Sequence, residues 1–189
     1  MQSDTGASLD IFGAHDMLGV HMLTPLLPAD PGLRVAFEEA LAGYHEGGLP
    51  IGAALFYRGQ LIGRGRNRRV QDGNPILHAE MACFQNAGRL PSSVYREATL
   101  YSTLSPCYMC SGAALLFGVP RMVVGESRTI LAADDWLRSR GMTVTVADDP
   151  GCYELLQRFI GERPEIWAED IGDAGTGRKY EHTHDGRGA

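Results

Sequence analysis

Short β-prone runs alternate with segments of helical periodicity along most of this chain, and that alternation constrains its fold more than any other feature. Apolar residues at helical spacing from Gly32 to His45, stopped by Gly47-Gly48, predict an amphipathic helix. Ile51–Tyr57 and Gln60–Gly65 flank an Arg58-Gly59 turn and read as a β-hairpin. A helix His78–Ala87 and a strand Ala98–Thr103 follow, then a helix Cys107–Phe117 bounded by Pro106 at its start and by Gly118 and Pro120 at its end. A strand Arg121–Val124, a helix Leu131–Arg140, a strand Met142–Val146 and a helix Gly151–Ile160 continue the pattern, with a last short helix at Pro164–Ile171. This order predicts an α/β fold of three layers, α/β/α, around a five-stranded mixed sheet that is largely parallel beyond the hairpin.

Residues 1–30 read as an extension, with weak helical character around Leu9–Leu23 broken by glycines and prolines; Met22 is a second candidate start. Residues 31–173 form the expected domain, and the Gly-rich, charged residues 174–189 have little to bury and read as a mobile tail. A chain of 189 residues can bury roughly 70% of its unfolded surface, enough for one domain with a sizeable core. The 17 basic and 23 acidic residues give a net charge of -6, which repels phosphate backbones and argues against a nucleic-acid partner. No apolar run is long enough to span a bilayer, and the absence of Lys or Arg before Arg34 leaves no positive region for a secretory signal, so a cytoplasmic location is expected.

Four cysteines do not make a disulfide scaffold, but two of them stand in Pro106-Cys107-Tyr108-Met109-Cys110, downstream of His78-Ala79-Glu80. One imidazole and two thiolates suit Zn²⁺ with its fourth position open, and one further carboxylate, Glu80, can move protons without occupying the metal. His78 and Glu80 converge beyond the end of a helix only if they lie in its first turn, whose free N–H groups, including that of Ala79, can then bind a substrate carbonyl. A structural zinc site would need a fourth protein ligand from Cys152, Cys83 or a distant His; a thioredoxin-like pair would need no His-x-Glu partner. Cys83 and Cys152 read as small buried hydrophobes. The paired motifs are the signature of zinc-dependent deaminases.

Beyond the metal motif, Leu49-Pro50-Ile51-Gly52, Gly63-Arg64-Gly65-Arg66-Asn67, Leu100 to Ser105, Val123-Val124-Gly125-Glu126 and the ending from Glu162-Arg163-Pro164 through Trp167 to Gly172 resemble the fungal-type cytosine deaminases of the cytidine deaminase superfamily. The likeness covers about residues 31–173. It implies a homodimer with one catalytic zinc per subunit that converts a free base such as cytosine to uracil and ammonia, as in pyrimidine salvage. It further implies zinc ligation by His78, Cys107 and Cys110, proton transfer by Glu80, and substrate contacts from Asn67, Ala79, Ser105, Ile51, Ile130, Trp167 and Asp170. Ile130 stands where the family carries an aromatic pocket residue, so the pocket wall differs in shape, whereas Ala79 in place of the fungal glycine is harmless because only its backbone N–H is needed.

The expected function is therefore zinc-dependent hydrolytic deamination of a small nucleobase, cytosine first. Another amino-heterocycle, a tRNA adenosine or a non-catalytic zinc-stabilised module are the rival readings. The arginines around Asn67, namely Arg64, Arg66, Arg68 and Arg69, read as a solvated strand end rather than a phosphate site. His182 and His184 read as incidental.

Overall fold

Arg58 at φ 50° and Gly59 at φ 79° reverse the chain between strands β1 (Gly52–Tyr57) and β2 (Gln60–Arg66). Two successive left-handed residues give the hairpin turn whose twist matches the strands, at the position the sequence predicts. The computed structural model describes residues 26–130 and 132–172. Most of the expected extension 1–30, with its weak helical character around Leu9–Leu23, and the expected tail 174–189 lie outside them.

Before the hairpin comes helix α1 (Pro31–His45); after it come α2 (Arg69–Asp72), α3 (Ala79–Ala87), α4 (Ser92–Tyr95), strand β3 (Ala98–Leu104) and α5 (Tyr108–Phe117). Strand β4 (Arg121–Glu126), α6 (Asp134–Ser139), β5 (Thr143–Val146), α7 (Pro150–Glu162) and α8 (Pro164–Asp170) complete the order. The five strands form one sheet, β2-β1-β3-β4-β5, antiparallel from β2 through β3 and parallel from β3 to β5. This is the expected three-layer mixed sheet.

Asp30 caps α1 by accepting from Gly32 N and Leu33 N, and Asp149 caps α7 by accepting from Cys152 N; a proline follows each cap. Both helices pack on one face of the sheet. There Gly52 is indispensable, since a Cβ would lie 2.0 Å from Ala36 O. Helices α3 and α5 cover the opposite face, where a Cβ on Gly65 would lie 2.4 Å from Cys83 N. Leu55, Leu100, Met122 and Val124 form the centre of the core, with Phe37, Leu33 and Cys152 beneath α1 and α7.

Candidate active site

The C-terminal edge of β3 is where the chemistry gathers. Ser105-Pro106 leads from β3 into α5, and Cys107 is the residue immediately before that helix, as His78 is before α3. Both have extended backbones, and neither helix has a side-chain cap. Glycines 63 and 65 let α3 lie directly on β2, which brings its first turn beside that of α5. The sequence places Cys107 within a helix; the structure places it one step ahead, with Cys110 inside the first turn.

One ligand atom from each of His78, Cys107 and Cys110 lies within 4.8 Å of the others. Cys107 Sγ is 3.6 Å from His78 Nδ1, the separation expected of a thiolate and an imidazole sharing a tetrahedral zinc, about 3.6 Å. Glu80 is 4% exposed and accepts from Ser102 Oγ at 2.8 Å. Its carboxyl is pushed up by burial first and then by the charge of Cys107. Contact with Cys110 is the main cause that draws Cys107 down to about 4, with His78 adding to it against burial. Cys110 is pushed up, by Cys107 first and then by burial. Burial opposes protonation of His78, but Cys107 and Glu80 outweigh it and raise its pKa. Two thiols and a carboxyl that crowd potential negative charge beside an imidazole fit a dication, and a His-Cys-Cys set with a carboxylate outside it fits zinc with an open position. Cys83 and Cys152 are buried and stand outside the group.

A cavity of about 310 Å³ opens on these residues. Ile51, Asn67, Ala79, Ser105, Ile130, Trp167 and Asp170 all line it, so the residues singled out from sequence converge on one space. Asn67 is 1% exposed, and its Oδ1 accepts from Arg69 N, which leaves the Nδ2 donors for a ligand. Ser105 is committed differently: its hydroxyl donates to Asp134 Oδ1 at 2.7 Å and accepts from Ala132 N at 3.1 Å. It braces the cavity wall, and its hydroxyl proton is already used. Ile130 follows a turn held by Glu126, whose Oε2 accepts from Arg128 N and Thr129 N.

The arginine cluster is not a solvated strand end. All four side chains are half-buried. Arg64 and Arg66 pair with the buried Glu39 of α1, Arg66 also with Glu46, Arg68 with Asp72, and Arg69 with Asp170. The carboxylate of α1 meets β2, and that of α8 meets α2, only in the fold, and the sequence shows the arginines without them. Arg69, Pro75, Leu104 and Ala132 also line the cavity, as residues that sequence reading did not select. Ser102 and Asp134 sit behind it; alternation along β3 was the one signal that could place Ser102 on the α3 face.

Residues 30–126 match the family model of the cytidine and deoxycytidylate deaminase zinc-binding region. A cytosine deaminase of Candida albicans is 44% identical over 143 residues, 75% of this chain and 95% of that protein. A solved structure from work on A-to-I editing by tRNA:A34 deaminases superposes with a TM-score of 0.58 at 26% identity, covering 66% of this chain and 98% of that one. A guanine deaminase from Nitrosomonas europaea superposes with a TM-score of 0.55 at 26% identity, covering 82% of this chain and 100% of that one. None of the described helices is long and apolar enough to cross a membrane.

Proposed function

This chain belongs to the cytidine and deoxycytidylate deaminase family, and from that membership we propose that it hydrolyses the amino group of a free nucleobase, cytosine, to give uracil and ammonia in pyrimidine salvage. The observation that carries the reading is a three-donor metal group with a buried carboxylate beside it, opening into one small cavity. At about 310 Å³ the cavity stands at the small end of the roughly 300–1,000 Å³ usual for ligand pockets. That size favours a single ring.

His78, Cys107 and Cys110 would hold zinc. Bound there, zinc supplies a Lewis acid that makes water nucleophilic near neutral pH. Glu80, kept basic by burial and pinned by Ser102, accepts the proton that water gives up and returns it to the ring nitrogen. It then takes the proton of the hydroxyl now on the ring carbon and passes it to the amino group, so that the C=O bond forms as the C–N bond breaks. The atoms balance: water adds oxygen to the ring carbon, and nitrogen departs as ammonia. Asn67 Nδ2 and Ala79 N–H suit the base's carbonyl, Ile51 and Ile130 its faces, and Trp167 closes over it with Asp170 at the far edge.

We take residues 31–173 as the catalytic domain and the active form as a cytoplasmic homodimer, on the family resemblance. The test is ammonia release across free bases, nucleosides and related amino-heterocycles. Cytosine should be the fastest and cytidine slow. Glu80→Gln should keep zinc and lose about 10²-fold or more in kcat; full activity in that variant, or active wild type without zinc, would overturn the assignment.

A further inference from the structure

Behind the active-site cavity lies a second one of about 370 Å³, bounded by Leu49, Val70, Gly73, Ile166 and Glu169. Arg69, Pro75 and Asp170 line both spaces. The boundary between the two is therefore shared by Pro75 and one ion pair. Arg69 Nη1 donates to Asp170 Oδ1, and to Asp170 O at 3.1 Å, tying α2 to α8 across 101 residues of sequence. The pair is mostly enclosed, with side-chain exposures of 23% and 10%. Arg69 Nε is buried without an acceptor among the described residues, so within them its guanidinium is held by Asp170 alone. Its backbone N–H fixes Asn67 Oδ1 at 3.0 Å, which links the partition to a polar residue of the base cavity.

We propose that the Arg69–Asp170 pair is a partition that restricts the active site to a one-ring substrate, and that Arg69 is thereby a specificity-determining residue. The inference rests on the function proposed above. With the guanidinium removed, the two spaces become continuous and the room beside the metal group more than doubles. A bicyclic amino-heterocycle can then present its amino-bearing carbon to the metal while its second ring occupies the rear cavity, among Leu49, Val70 and Ile166. A charge-assisted pair suits a wall, because it is geometrically fixed and costly to part when half-buried.

The experiment compares zinc-loaded full-length wild type, Arg69→Ala and Arg69→Lys, measuring kcat and KM for cytosine and guanine together with zinc content. In Arg69→Ala the guanine-to-cytosine ratio of kcat/KM should rise by about tenfold or more, chiefly through KM, the range that shape discrimination commands. Arg69→Lys, which keeps a charge for Asp170, should stay near wild type. A merely structural role would lower both substrates alike; a ratio within about threefold of wild type at full zinc content overturns the proposal. If Arg69→Ala does not fold, Arg69→Gln is read by the same ratio. Wild type that deaminates neither base would sink the function proposed above instead. The partition is then decided by calorimetry with guanine: tighter binding to Arg69→Ala than to wild type supports it, and equal binding overturns it.

Discussion

Asp134 shows how a single buried carboxyl supports the cavity without touching its contents. It is 1% exposed, accepts from Ser105 Oγ, and its other oxygen has no partner among the described residues. Burial raises its pKa, and the Ser105 hydrogen bond only partly opposes this. A carboxyl that binds its proton more tightly when folded adds stability that is complete below its unfolded pKa and is lost as pH rises through the folded one. Asp134→Asn keeps an acceptor for Ser105 and cannot ionise. The melting temperature of the variant relative to wild type should therefore climb as pH is raised above the ordinary aspartate value of 3.8, and a constant offset would refute the linkage. At this scale the sequence was uneven. The ligands and Glu80 are legible because their spacing is local, whereas Arg69 is unreadable because the carboxylate that gives it meaning lies on α8.

Among the elements, α3 matters most, since its cap position is His78, its first turn carries Ala79 and Glu80, and its position depends on β2 having no side chains at Gly63 and Gly65. A Cβ on Gly65 would meet Cys83 N and Ala82 C, backbone atoms that cannot rotate away. Gly65→Ala should thus shift α3 as a body, costing about 1–3 kcal/mol of stability by overpacking. It should also lose zinc affinity and kcat together; a chemical-denaturation curve with parallel zinc and rate measurements checks this, and unchanged activity would show that α3 is not held there. The elements were read well where periodicity or turn chemistry was strong. The helices at Gly32 and Gly151 were read one residue late, because each start is set by an Asp-Pro pair, Asp30-Pro31 and Asp149-Pro150, whose capping role outranks the apolar pattern. Four-residue α2 and α4 were missed because one turn has no period to detect. Helix α6 is Asp134–Ser139 rather than Leu131–Arg140, since the backbone of Ala132 is drawn to Ser105 and that of Ala133 to Pro106 O.

For the whole molecule, the two faces of the sheet are held by different means. On one face α1 and α7 carry their own aspartate caps; on the other α3 and α5 begin at His78 and Cys107 with no side-chain cap, and coordination would instead tie the two helix starts together. Stripping zinc by chelation should therefore lower the melting temperature and speed amide exchange in the first turns of α3 and α5, while α1 and α7 stay protected. Uniform loss of protection would show that the metal supports both faces equally.

The Glu39 clasp on Arg64 and Arg66 implies an order of assembly. Helix α1 and the β1–β2 hairpin are contiguous in sequence, and their buried charges are neutralised within that stretch. A chain emerging from the ribosome can close this unit before any of the three metal donors has emerged. Strand β3 must then add along the free edge of β1 before Cys107 can meet His78. Zinc capture is thus a late event, a report that the central strand has found its register.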